Sequence, residues 1–338
     1  MLMTDSPSLI DGMGRTVRYV RLSVTDRCNL RCVYCRSGFE TFIPHESILR
    51  YEEMETLVDL AVSLGVEKVR LTGGEPFVRR GFLDFLERLR TRHPALDIRI
   101  TSNGTLLAPA IPRLKDIGIN AVNLSLDTFD RDKFARITGA DLLPRVLESM
   151  DGLLKAGIPF KINAVAVRGV NDMELTGFLE YALHNPVEVR FIEFMPMGEN
   201  TRWSSERFWS AEDILAEVRK HCLAEPLAPA SNAGGPARSY LLKAGGGEQG
   251  RLGLITPLSS HFCVACNRLR FTSEGALRTC LYDDREYRLR GALRHSRLGP
   301  EAVRRIIALA VLRKPFGSRL LEARTNAVAI RRMSAIGG

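Results

Sequence analysis

The sequence has no long hydrophobic run. Its longest uncharged apolar stretch near the C-terminus, Ile306 to Leu312, falls far short of the roughly 20 apolar residues a bilayer-spanning helix needs. The N-terminal stretch MLMTDSPSLIDGMGRTVRYV lacks the apolar core of a secretion signal, so a cytoplasmic protein with no membrane partner is expected. Internal repeats are missing, and so are the Lys/Arg blocks that form disordered nucleic-acid tails. Cysteine is scarce, with seven in 338 residues, and in a chain of this size clustered cysteines point to metal or catalysis rather than a disulfide framework.

What is present is ordinary globular composition, 45% apolar and 26% charged, enough for one large α/β domain and a smaller one. The formal charge is +9, from 48 Lys+Arg against 39 Asp+Glu. That balance favours an anionic partner. With no basic tail, a small anion is preferred to nucleic acid.

From Val17 to about Phe194, β-rich runs alternate with helical stretches. The strand candidates are 17–24, 68–73, 97–102, 121–126, 159–166 and 187–194; helices are expected near 52–64, 82–92, 109–117, 144–156 and 172–184. Such alternation implies right-handed βαβ units on a parallel sheet. Arg70, Arg99, Lys161 and Arg190 interrupt the strands, which suits an α/β partial barrel, TIM-like with six β/α units, whose lumen holds polar ligands. After a helix near 211–220, the Gly/Pro/Ala-rich stretch through 253 reads as loop or linker with one hairpin. A helix is expected near 301–313. Residues 1–225 are assigned to the barrel and 226–338 to a smaller C-terminal, cluster-binding domain.

DRCNLRCVYC places Cys28, Cys32 and Cys35 at i, i+4 and i+7. Structural zinc normally completes four ligands, and an electron-carrying cubane uses four cysteines. Three thiols leave one iron able to bind a substrate or cosubstrate. The CxxxCxxC spacing with Tyr34 before the last cysteine resembles the signature of radical S-adenosylmethionine enzymes. LTGGEPFVR (71–79) resembles that family's GGEP turn. The resemblance implies a [4Fe-4S] cluster on the three cysteines and S-adenosylmethionine held by Gly73, Gly74, Glu75 and Ser125, with Tyr34 and Met195 against its adenosyl part. Arg36-Ser37-Gly38 follows the cysteines where the family often has Pro.

HFCVACNRLRFTSEGALRTC gives a second three-thiol group, Cys263, Cys266 and Cys280, as C-x2-C-x13-C. A zinc site with His261 as fourth ligand is the alternative. Arg268 and Arg270, however, alternate on an extended segment and match phosphate oxygens in charge and shape. Cys222 stands alone and reads as a buried small hydrophobe.

Both groups, with ITSNG, NLSLD, FKINAV, RFIEFMP and the terminal IGG, are similar to the GTP 3′,8-cyclase family. That family makes the first intermediate of molybdenum cofactor biosynthesis and is classed among the lyases. The resemblance implies a second [4Fe-4S] cluster that binds guanine. It implies GTP contacts from Arg21, Arg70, Thr101, Lys161, Arg268, Leu269 (by backbone) and Arg270, and a Gly337-Gly338 tail that supports activity. It further implies a 5′-deoxyadenosyl radical that takes the C3′ hydrogen, attack of C3′ on guanine C8, and no side chain acting as acid or base. A homodimer is implied, with the product handed to cyclic pyranopterin monophosphate synthase. The electron donor is not given, and residues 229–250 align poorly. Rival readings are a radical enzyme that modifies peptides or RNA, and a non-enzymatic iron–sulfur or zinc protein. The first usually carries more C-terminal cysteines or an added RNA-binding domain; the second needs fully capped clusters.

Overall fold

The computed structural model describes residues 8–35, 42–197, 203–228, 235–322 and 336. Six strands follow one another in the first half: β1 (Tyr19–Ser23), β2 (Lys68–Thr72), β3 (Asp97–Ser102), β4 (Ala121–Ser125), β5 (Phe160–Ala166) and β6 (Glu188–Glu193). Each pairs in parallel with the next. Between them run α1 (Tyr51–Ser63), α2 (Phe82–Arg92), α3 (Ile111–Ile117), α4 (Arg131–Thr138), α5 (Leu143–Ala156) and α6 (Leu175–His184). The expected α/β partial barrel is present, and the six strand segments sit where the alternation of composition placed them.

Period-two alternation separates the two faces of this sheet. Val20, Leu22, Val69, Leu71, Ile98, Ile100, Val122, Leu124, Ile162, Val189 and Phe191 are almost wholly buried on the helix-covered face. Burying side chains of this size is worth about 1.5–3 kcal/mol each, which makes this face the one that drives folding. The opposite face carries Arg21, Arg70, Arg99, Thr101, Asn123, Lys161, Asn163, Glu188 and Arg190. The core does not need that face, so the lumen can specialise.

Three features depart from the sequence reading. The first is α4. Its eight residues are too few for an amphipathic period to show; it exists because Asp130 caps it, accepting from Lys133 N at 2.7 Å, and because Phe134 and Ile137 are buried.

The second is the stretch taken for linker. After the expected helix, α7 (Ala211–Val218), it forms β7 (Leu223–Pro226), β8 (Ala237–Lys243) and β9 (Gln249–Ile255). The β8–β9 hairpin was expected, but β9 also pairs in parallel with β6. The composition hid this because Gly250 and Gly253 are there for close approach. A Cβ on Gly253 would lie 2.8 Å from both Arg190 Cγ and Glu188 Oε1.

The third departure joins the ends of the chain. β10 (Arg268–Phe271) pairs in parallel with β1, and β11 (Ala276–Arg278) and β12 (Tyr287–Arg288) complete that edge. The sheet order is β12-β11-β10-β1-β2-β3-β4-β5-β6-β9-β8-β7. C-terminal strands thus flank the barrel on both sides. After β12 come α8 (Arg290–Arg294), α9 (Gly299–Leu312) and α10 (Gly317–Glu322), while a short hairpin, Leu9–Ile10 with Thr16–Val17, precedes β1. No helix among the described residues is long and apolar enough to cross a membrane.

Candidate functional site

The first cysteine loop leaves the C-terminal end of β1 and is tied on every side. Gly74 N donates to Thr25 O and Glu75 N to Arg27 O, both at 2.8 Å. The glycines are there because of that contact. A Cβ on Gly74 would lie 2.2 Å from Arg27 O; on Gly73, which has φ +152°, it would lie 2.3 Å from Thr25 O. On the far side Arg31 N and Val33 N donate to Thr138 O and Ile137 O at the end of α4, at 2.8 and 2.9 Å. Asn103, from the ITSNG turn after β3, donates to Cys28 Sγ at 3.6 Å and to Asn29 Oδ1 at 3.0 Å.

The Glu75 side chain is fully buried and accepts from Ser102 Oγ at 2.9 Å, Asn103 N at 2.7 Å and Phe77 N at 3.2 Å. Burial pushes its carboxyl up to about 7 despite those three donors. In this structure the carboxylate fastens the ends of β2 and β3 together behind the cysteine loop. Tyr34 Oη donates to Asp127 Oδ2 at 2.5 Å, and Val165 N donates to Asp127 Oδ1 at 2.8 Å, so the residue before Cys35 is anchored to β5. A small apolar cavity lies alongside, between Val33, Tyr34, Val165, Val167 and Phe194. Burial, then Cys35, Asp127 and Cys28, push the Cys32 thiol well above its ordinary value. Three half-buried thiols crowded together beside an acid suit ligation by positively charged irons.

Along the lumen, strand register sets the cations side by side. Arg270 stands opposite Arg21, Arg21 opposite Arg70, and Arg70 opposite Arg99. Arg70 donates to Tyr19 Oη at 2.7 Å and to Ile100 O at 3.3 Å. Burial works to raise the Tyr19 phenol, but Arg70, Arg21 and Arg268 outweigh it and draw the phenol down to about 7. Burial, then Arg21 and Arg268, push the Arg270 guanidinium well below its usual value. Like charges held this close are costly unless an anion joins them. Thr101 Oγ1, Asn163 Oδ1 and Arg268 Nε are buried without a hydrogen-bond partner. Each such group costs about 1–3 kcal/mol, and together they mark the lumen as shaped for a polar, anionic ligand.

Lys161 is engaged differently. It ion-pairs with Glu188, which also accepts from Arg190 Nε at 3.0 Å and Ser239 Oγ at 2.9 Å. Burial opposes ionisation of Glu188, but Arg190 and Lys161 prevail and hold its carboxyl near about 2. A carboxyl lowered from 4.5 to about 2 stabilises the fold at pH values above 4.5 and loses that contribution as pH falls towards 2. Glu188→Gln is therefore expected to cost roughly 3 kcal/mol near neutrality, with a deficit that narrows below about pH 4. Thermal unfolding of both proteins across pH checks this.

The second cysteine group sits at the other end of β1. Cys266 precedes β10, whose Arg268 pairs with Tyr19 at the start of β1, whereas Cys28 follows the end of β1. The five-residue strand between them spans about 17 Å at about 3.3 Å per residue, with Arg21 along it. Burial raises the Cys266 thiol, but Lys314 and Arg268 draw it down to about 7. Cys280 is pushed up by burial and by its fellow cysteines. Among the described residues, no three His, Cys, Asp or Glu side chains gather round a single ion position; thiols on separate irons of a cubane stand wider apart than the ligands of one tetrahedral ion.

Residues anticipated from sequence occupy this lumen and its two mouths: Arg21, Arg70, Thr101, Lys161, Arg268 and Arg270 between the cysteine groups, and Ser125 at the end of β4 beside Asn163. Leu269 is buried on the helix side, which leaves its backbone to the strand. Met195 packs with Tyr282, Met197 and Ile336. Gly337 and Gly338 lie outside the described residues. Ile336, just before them, is 1% exposed, and its carbonyl accepts from Arg270 Nη1 at 3.4 Å. Tyr19 and Glu188 were missed as site residues, although each lies two residues before a recognised arginine and so on its face. Asn103 lies in the ITSNG stretch but was not picked out as a site residue, and nothing in the local sequence signals Lys314.

Residues 22–182 match the Radical SAM superfamily and residues 187–320 match Molybdenum Cofactor Synthesis C. The GTP 3′,8-cyclase of Pelotomaculum thermopropionicum is 41% identical over 97% of this chain and 99% of its own length. That of Caulobacter vibrioides is 41% identical over 99% of this chain and 95% of its own. Among solved structures, Streptococcus suis SuiB bound to precursor peptide SuiA aligns over 93% of this chain and 75% of its own, with TM-score 0.60 and 14% identity, a likeness of fold alone. Near-full-length identity of this order, on a barrel with these two cysteine mouths, means that the chain belongs to the GTP 3′,8-cyclase family of the radical SAM superfamily.

Proposed function

We propose that this chain is a lyase of molybdenum cofactor biosynthesis that cyclises GTP to 3′,8-cyclo-7,8-dihydro-GTP. The observation that carries the reading is the placement of two three-cysteine mouths at opposite ends of one cation-lined lumen. A nucleoside triphosphate is both long enough and anionic enough to occupy such a space.

The residues at the first mouth fit a [4Fe-4S] cluster on Cys28, Cys32 and Cys35, with S-adenosylmethionine beside Gly73, Gly74 and Ser125. When bound, that pair supplies the 5′-deoxyadenosyl radical that removes the C3′ hydrogen of the ribose. Tyr34, fixed by Asp127, lines the wall beside it, and the loop ties described above hold the thiols in place. At the second mouth, Cys263, Cys266 and Cys280 suit a further cluster with an iron open to guanine. Arg21, Arg70, Arg268, Arg270, Lys161 and Thr101 would hold the triphosphate and ribose between the mouths. Fixing C3′ near both the radical source and C8 is the entropic part of the catalysis, and the guanidiniums neutralise the phosphates. The Gly337-Gly338 tail would support activity, and Glu75 acts from behind the loop as a fastener. A cytoplasmic homodimer that passes its product to cyclic pyranopterin monophosphate synthase completes the reading.

The test is to incubate the reconstituted chain with reductant, S-adenosylmethionine and each ribonucleoside triphosphate in turn. GTP alone is expected to give a cyclised product with stoichiometric 5′-deoxyadenosine. Equal turnover of ATP, or 5′-deoxyadenosine without a nucleotide product, would count against the assignment.

A further inference from the structure

The turn between α9 and α10 touches all three segments of the second cysteine group. Lys314 is 4% exposed. Its Nζ donates to Arg268 O at 2.7 Å and Thr279 O at 2.6 Å, carbonyls that stand just after Cys266 and just before Cys280. Arg15, from the N-terminal hairpin, donates to Cys263 O at 2.8 Å and to Lys314 O and Pro315 O at 3.3 and 3.1 Å. Gly317 forms the wall itself, since a Cβ there would lie 2.9 Å from Cys280 Sγ and 3.5 Å from Cys263 Sγ.

The two buried cations of this brace differ in one respect. Arg15 has its own counter-ion, Asp11 Oδ2 at 2.6 Å. For Lys314, no carboxylate partner stands among the described residues, and the opposite charges set against it are the Cys266 and Cys280 thiolates. An ammonium buried without an anion is expensive. Three thiolates outweigh the core charge of a cubane, so a cluster held there is the anion this site lacks. At the first cysteine group, by contrast, the charge beside Cys32 is the acid Asp127.

We propose that Lys314 is the charge-compensating residue of the second cysteine site, a positioning group whose ammonium favours the more reduced, more negative form of the cluster and so raises its reduction potential. The inference rests on the reading that Cys263, Cys266 and Cys280 hold a cluster. It predicts different potentials at the two mouths, set by nearby charge.

The experiment is an EPR-monitored redox titration of the full-length reconstituted protein, with the first centre as internal reference, alongside iron counts. Lys314→Gln keeps a donor to the two carbonyls but loses the charge; Lys314→Arg keeps both. The expected result is a second-centre potential shifted to more negative values in Lys314→Gln, restored in Lys314→Arg, with the first centre unmoved. Loss of second-site iron in the Gln variant but not in the Arg variant also supports the charge role. An unshifted potential with full iron in Lys314→Gln overturns it, as does equal iron loss in both variants, which would reduce Lys314 to a brace. Wild-type protein holding about four irons rather than about eight overturns the two-cluster reading itself, a failure distinct from that of Lys314.

Discussion

Cys28→Ala is expected to take 5′-deoxyadenosine formation to background while leaving the protein folded. Cys28 is the thiol that the surrounding loops serve: its Sγ accepts from Leu30 N at 3.4 Å and from Asn103 Nδ2 at 3.6 Å. Removing it leaves two thiols at the first mouth, too few to hold a cubane and still present an open iron. The fold should survive, because the loop is fastened by backbone bonds from Gly74, Glu75, Arg31 and Val33 that do not involve the sulfur. Iron should fall from about eight to about four per chain, and GTP binding at the other mouth should persist. Retained 5′-deoxyadenosine production would sink the assignment of this site.

Arg270→Ala is expected to separate the two half-reactions. Arg270 is 7% exposed, stands opposite Arg21 of β1, and binds the carbonyl that precedes the C-terminal glycines. A charge-assisted hydrogen bond is worth about 1.5–3 kcal/mol. Losing the one to phosphate should therefore weaken GTP binding by about 10- to 150-fold, with cleavage of S-adenosylmethionine within a few-fold of wild type. Removing one of several crowded cations also relieves repulsion, so the melting temperature should hold or rise. A lower melting temperature with both half-reactions lost in parallel would instead show a structural role. The measurements are GTP affinity, 5′-deoxyadenosine yield and thermal unfolding on the same preparation.

The lumen was legible in sequence because alternation along a strand is a local property. Arg21, Arg70 and Lys161 each stand between apolar neighbours, and such residues can only face away from the helices; Thr101 continues the same alternation after Ile98 and Ile100. Tyr19 and Glu188 obey the same rule but carry no signal of their own; only strand register shows that three guanidiniums surround Tyr19 and that two cations share Glu188. Glu75 is a different case. Its type and place in the GGEP turn suggest an acceptor for a ligand, yet burial and three protein donors commit it to holding β2 and β3. The β7–β9 region was obscured because glycines needed for close packing, Gly253 against Arg190 and Glu188 and Gly250 against Ala182, look, one residue at a time, like linker.

By itself the sequence determined the chemistry the chain can do: two sets of three thiols, the glycines that let the backbone close round the first, and a basic, alternating series of strands. These depend on residue type and short spacing, which a linear chain carries in full. Only the tertiary structure decided where the two sets lie. Parallel pairing of β10 with β1 brings residues some 250 positions apart into register, placing one cysteine group at each end of the same strand. It likewise set Lys314 against Cys266 and Cys280 with no acid beside it among the described residues. Long-range contacts of this kind are fixed by burial of the helix-side face, and the energy of that burial belongs to the whole sheet rather than to any segment of the chain.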